Sequence, residues 1–334
     1  MDRPPRRDTP SRPSAQTFLR RRVAAAAGLL LGAFLLVRLL GGLLGGDGEQ
    51  RLASASDAER DATSAAPARP KATELPGGGR RFFPDRRVVA FYGNPADDEL
   101  GALGIGSPDQ AAAKLARVAK SYERKTRPVL LCLELIVTVA AAAPGDDGKY
   151  RIRAPEKTID RYLRAARKAG AVLLLDVQPG TATFPEEVRR LKKWLVQPDV
   201  GLALDPEWRI QPGQVPGQVI GSVSAEEVNQ VSIDLAALVK ERNLPEKLFV
   251  IHQFTNDMVR DKPNVAIRPG LATVFNVDGF GLPAAKISKY SEFTRSTPKG
   301  AHDGFKVFFR EDTNRMRPAA VMALQPPPDI IEYE

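Results

Sequence analysis

Apolar residues recur between positions 88 and 333 in two alternating rhythms. Val88–Tyr92, Val129–Val139 and Ala171–Val177 are short, nearly continuous apolar runs, the pattern of strands buried on both faces. Between them the period lengthens. Ser107-Pro108 supplies an N-cap and first-turn proline for a helix to about Glu123. Ile159, Tyr162, Leu163 and Ala166 stripe a second helix that Gly170 stops. Val188, Leu191, Trp194 and Leu195 stripe a third. Ser224 with Glu227 reads as a capping box ahead of Val228, Val231, Leu235, Leu238 and Val239. Further strands are predicted at Val200–Trp208, Lys247–Phe254, Leu271–Asp278, Phe305–Arg310 and Ile330–Tyr333, with helices at Pro283–Phe293 and Pro318–Leu324. Only a short helical turn is expected after the fifth strand. Strands and helical segments alternating in this way predict an α/β fold, a (β/α)8 TIM barrel over residues 86–334. The competing open doubly wound sheet lacks its signature here, because no Gly-rich phosphate loop follows the first strand.

The fourth strand, from Val200 to Trp208, organises the rest. Leu202 and Leu204 share one face, and Gly201, Ala203, Asp205 and Glu207 share the other. Small residues facing a crowded barrel axis, ending in two carboxylates, suit the carboxyl end where barrel enzymes keep their chemistry. The structural alternative is that Asp205 and Glu207 pair with arginines or cap loops. Strand-to-helix links such as Ala140–Pro155 and Arg209–Val223 are long, whereas most helix-to-strand links are short. Ser296–Gly304 is a long exception.

The first 85 residues read differently. Residues 1–22 are Arg- and Pro-rich and end in Arg20-Arg21-Arg22, a basic cytoplasmic tail. Val23–Gly45 is long and apolar enough to span a bilayer, with only Arg38 charged, and the preceding cluster puts the N-terminus inside. This predicts a single-pass anchor with the barrel outside the cytoplasm. A secretory signal cleaved near Ala55 is the alternative. Residues 46–85 lack an apolar period and read as a flexible, disordered linker.

The net charge of +9 does not change this picture. Eight Arg against two Asp in residues 1–45 hold +6 of it, so no nucleic-acid surface is expected on the barrel. A single cysteine, Cys132, rules out an intrachain disulfide, and two histidines, His252 and His302, argue against zinc chemistry. Neither a metal nor a cofactor is expected. Carboxylates are left as the working groups.

At the strand ends the sequence gathers Tyr92, Glu134, Asp176, Gln178, Asp205, Glu207, Trp208, His252, Gln253, Asn276 and Asp278. Glu134 interrupts an apolar run, where a carboxylate is costly unless hydrogen-bonded or neutral. Paired carboxylates with amides and aromatic faces point to a sugar ligand, the carboxylates cleaving an acetal as acid and base or nucleophile. Glu207, Asp205 and Asp176 are the candidate catalytic groups, and the others are candidate substrate contacts. A non-catalytic glycan- or peptidoglycan-binding barrel, a sensor or scaffold, is the second reading.

Asp205-Pro206-Glu207 resembles the Asp-x-Glu signature of the family 18 chitinases and family 25 lysozymes, both barrels acting on N-acetylated glycans. That resemblance implies Glu207 as general acid and Asp205 as its partner at the acetamido group. The longer chitinase pattern has another Asp two residues earlier, where this chain has Ala203. Ala90–Pro95, Leu174–Gly180, Leu202–Trp208 with Pro216–Gly221, and His252–Phe254 are similar to a group of exported actinobacterial barrel proteins. That likeness bears on fold and export alone.

Overall fold

The computed structural model describes residues 72–334. Eight parallel strands close into a barrel: β1 (Arg87–Gly93), β2 (Val129–Ala140), β3 (Val172–Val177), β4 (Val200–Leu204), β5 (Lys247–Gln253), β6 (Leu271–Val277), β7 (His302–Val307) and β8 (Ile330–Tyr333). Closure is explicit in the register. Val88 of β1 lies opposite Leu130 of β2 on one side and Ile330 of β8 on the other. Outside run α1 (Pro108–Ala119), α2 (Glu156–Lys168), α3 (Phe184–Arg190), α4 (Lys192–Leu195), α5 (Ala225–Arg242), α6 (Pro283–Thr294) and α7 (Pro318–Met322). The turn expected after β5 is a 3-10 turn, Lys262–Asn264.

Alternation along the strands builds two apolar layers. Leu133, Leu173, Leu202, Leu204, Phe249 and Phe275 face outward onto helix residues such as Ile159, Val188, Val228 and Leu235. Cys132, Val172, Leu174, Ala203, Val250 and Val274 fill the barrel interior. The axis is crowded there: a Cβ at Gly201 would lie 2.6 Å from the Leu248 carbonyl oxygen. The expected small inward face of β4 is therefore present, but it is shorter than predicted. Pro206 ends the ladder, and Pro206–Trp208 forms a 3-10 turn instead of continuing the strand. Other departures are local. The third helix divides into α3 and α4, and β7 begins at His302, so the link after α6 shrinks to residues 295–301. Ser224 accepts from the Glu227 N–H at 3.2 Å, but the Glu227 carboxylate binds the Phe184 N–H and Arg209 rather than closing a reciprocal box.

Beyond the barrel, β2 turns back in a hairpin through Arg151–Arg153. Glu187 on α3, 1% exposed, accepts from Arg151 and Arg153, each at 2.7 Å, and pins this hairpin beside the mouth.

The floor is made by residues the sequence assigned to the linker. Leu75, Phe82 and Phe83 pack against the interior layer from below. Arg80 donates to the carbonyls of Thr73 and Leu244, and the Phe82 N–H donates to Glu246 at 2.7 Å. One aromatic pair after a polar stretch carries no periodicity, which is why the boundary was not visible. Phe82→Ala should cost about 3–5 kcal/mol, read as a lowered urea midpoint. The basic tail and Val23–Gly45 lie outside the described residues. No helix among the described residues is long and apolar enough to cross a membrane.

Lys247 opens β5, 1% exposed, and donates to the carbonyls of Gln197 at 2.6 Å and Val200 at 2.7 Å. Burial lowers its pKa to about 7, with the charge of Asp199 opposing the shift. The unfolded amine titrates near ~10.4, so over the interval between, the unfolded chain binds more protons and stability rises with pH. Lys247→Met should flatten that rise, measurable from urea midpoints across the interval.

Candidate functional site

Above the apolar interior the inward positions turn polar. β1 contributes Tyr92, β2 Glu134, β3 Asp176, β5 His252, β6 Asn276, β7 Lys306 and β8 Glu332, all at most 3% exposed. Gln178, Asp205 and Asp278 follow directly on β3, β4 and β6.

The groups form one connected net. His252 Nε2 is 3.0 Å from Glu134 Oε1, and its Nδ1 is 3.4 Å from Asp278. Lys306 Nζ lies 2.8 Å from Glu334, 3.2 Å from Asp278 and 3.6 Å from Glu332. It also sits 3.5 Å above the Tyr92 ring, a cation–π contact. Asn276 donates to Glu332. Across the axis, the Tyr92 hydroxyl is 3.3 Å from both Asp176 Oδ2 and Asp205 Oδ2. Gln178 donates to that hydroxyl at 2.9 Å and to Asp205 at 3.3 Å.

Burial and neighbouring charge divide the protons unequally. Burial pushes the Asp176 carboxyl well above the usual carboxylate range, and the charge of Asp205 acts in the same direction. Glu332 is raised likewise by burial and then by Glu134. Burial also opposes ionisation of Glu134 and His252, but there the partners outweigh it. The hydrogen bond and charge of His252 hold Glu134 below its ordinary value. Glu332, Asp278 and Glu134 hold the imidazole well above its own. A single Tyr92 proton cannot serve both Asp176 and Asp205. With Asp176 protonated the conflict disappears, because Asp176 donates to the tyrosine oxygen and the tyrosine donates to Asp205.

The predicted residues fare differently. Tyr92, Glu134, Asp176, Gln178, Asp205, His252, Asn276 and Asp278 lie together at the strand ends. Glu207 and Trp208 are buried, at 5% and 7% exposure, but they ride the 3-10 turn against β5. Strand alternation therefore does not place Glu207; Pro206 does. The Gly221 N–H donates to the Glu207 carbonyl at 2.6 Å and ties the Arg209–Val223 loop to this turn. Gln253 turns its amide to the Thr255 carbonyl. Asp176 lies opposite Ala203 in the β3–β4 ladder.

Sequence reasoning missed Lys306 and Glu332. Both are charged residues inside short apolar strands, Phe305–Phe308 and Ile330–Tyr333, the same signal that singled out Glu134. Ligand atoms of Glu134, His252 and Glu332 lie within 4.8 Å of one another, close enough to hold a metal ion. The Lys306 ammonium, 3.6 Å from Glu332, already places a cation beside this cluster.

No family model matches this chain, and no curated protein matches it. Among solved structures, it is similar to a GH18 chitinase from Pseudoalteromonas aurantia at 12% identity and a TM-score of 0.36, over 74% of this chain and 93% of that chain. The assignment of a closed (β/α)8 barrel rests on the strand register, not on that distant likeness.

Proposed function

We propose that this protein is an extracytoplasmic glycoside-hydrolase-like barrel, held at the membrane by Val23–Gly45, that acts on a cell-envelope glycan. Asp176, Asp205 and Glu207 carry the chemistry. The observation that supports this most is the Asp176–Tyr92–Asp205 bridge, a carboxyl kept protonated beside a second carboxyl at the carboxyl end of adjacent strands. Two carboxyls that share one proton at the strand ends keep Asp205 oriented and its charge balanced beside a reacting acetal. In this reading Glu207 donates its proton to the leaving oxygen. Asp205 faces the reacting centre, and Asp176 and Tyr92 orient Asp205 and supply its proton balance. Gln178 and Trp208 bind sugar hydroxyls and a ring face. Neither a cofactor nor nucleic acid enters the scheme.

The second reading, a binding barrel without turnover, draws support from burial: Asp176 and Asp205 are 0% and 2% exposed. Incubating the protein with peptidoglycan and with chitin-type oligomers across a pH range separates the two. New reducing ends support hydrolysis. Saturable binding without new reducing ends supports the binding barrel.

A further inference from the structure

The end of the barrel opposite the mouth carries an open groove of about 850 Å³ beside the last turns of α5. Its lining fixes its place: Asn243 caps α5, and Glu246 and Gly270 immediately precede β5 and β6. The base of the groove is apolar, built from Ile233, Ala236, Val239 and Leu244. Ile233 is 44% exposed, a large apolar side chain left in water.

The rim is cationic. Arg80, Arg81, Lys240 and Arg268 line it with one carboxyl, Glu246, which accepts from the Phe82 N–H. The bonds that the arginines make are to neutral oxygens. Arg80 donates to the carbonyls of Thr73 and Leu244, Arg81 to that of Phe83, and Arg268 to the Ser232 hydroxyl. Glu74 and Asp85, exposed on the floor segment, stand outside the lining, and Glu241 pairs with Arg242 at 3.3 Å.

The course of the chain says what meets this rim. Arg80 and Arg81 belong to the segment by which the described residues begin, and residues 46–71 alone separate that segment from Val23–Gly45. So short a connection keeps the groove at high effective concentration near whatever holds the anchor. A cationic rim around an apolar base matches a phospholipid surface, with phosphates on the arginines and lysine and the apolar boundary on Ile233.

We infer that this groove docks on the anionic phospholipid surface to which the chain is tethered, directing the mouth away from the bilayer. The inference shares the membrane location proposed above and uses none of the glycosidase chemistry, which the reducing-end assay tests separately.

The test places the full chain, carrying a fluorophore on Ile233→Cys, in vesicles of phosphatidylcholine with or without phosphatidylglycerol, each holding a lipid-borne quencher. Cys132 is buried and stays unlabelled. Ile152→Cys, on the hairpin beside the mouth, is the control. The label at Ile233 should be quenched in the phosphatidylglycerol vesicles and released by high salt, with no quenching at Ile152. Arg81→Gln and Lys240→Gln should each lower the ratio of docked to undocked chain ~5-fold, the effect of one basic side chain at an anionic surface. Equal quenching in both lipids, or equal quenching at both labels, would overturn the inference. So would a label shielded from water but not quenched, which would put another segment of this chain or a second copy in the groove. Flotation with phosphatidylcholine vesicles at high salt reports the anchor separately. A chain that floats without quenching keeps the anchor and loses the docking; one that is quenched with phosphatidylglycerol but does not float does the reverse. A chain that does neither loses both.

Discussion

Glu207→Gln and Asp176→Asn are each expected to lower glycan turnover by ~10²-fold or more while leaving the barrel folded. The two variants differ in what else they change. Glu207→Gln keeps the shape of a side chain on the Pro206–Trp208 turn and removes only its proton chemistry. Asp176→Asn replaces a carboxyl that burial and the charge of Asp205 already hold protonated. An acid whose folded pKa lies above its unfolded value of ~3.9 opposes folding increasingly as pH rises between the two, because the folded state then binds the extra proton. The Asn variant has no such proton to lose. It should therefore match or exceed the wild-type melting temperature at neutral pH despite its lost activity. Activity that depends on a protonated Asp176 should also decline on the alkaline side in wild type. Retained turnover in both variants, with a lowered melting temperature, would assign these carboxyls a structural role.

Lys306→Met should destabilise the barrel by about 3–5 kcal/mol, the largest single effect expected away from the apolar core. The ammonium is 1% exposed and sits among Glu334, Asp278 and Glu332. Removing it leaves buried carboxylates facing one another, which costs more than the ion pairs themselves contribute. A second change, Asp278→Asn, removes one of those charges and should recover part of the loss. Urea unfolding of the two single variants and the double variant measures that coupling. Additive losses would mean that Lys306 acts through packing on Tyr92 instead.

The fold was legible because strand and helix periods alternate with little interference. Leu202 and Leu204 against Gly201 and Ala203 disclosed which face of β4 meets the axis, and Gly170 and Ser107-Pro108 marked helix ends by backbone chemistry alone. The site was legible where one charged residue broke an apolar strand, as at Glu134, or closed one, as at Asp176. Lys306 and Glu332 obeyed the same rule but lay in shorter strands of the C-terminal half, where the apolar period is weak. Two features could not be read from local pattern. Phe82 and Phe83 find their partners across the barrel floor, in residues far along the chain. Glu207 was placed by extending a strand through Pro206, although proline cannot donate to a ladder and ends it.

The central claim is that the strand-end carboxyls break a glycosidic bond by adding water across it. Incubating the protein with peptidoglycan fragments and chitin-type oligomers in ¹⁸O-labelled water and analysing the shortened products by mass spectrometry tests this most directly. The account predicts one labelled oxygen at each new reducing end, formed by wild type and lost in Glu207→Gln. Oligomers that bind wild type yet remain at full length and unlabelled at every pH would contradict it.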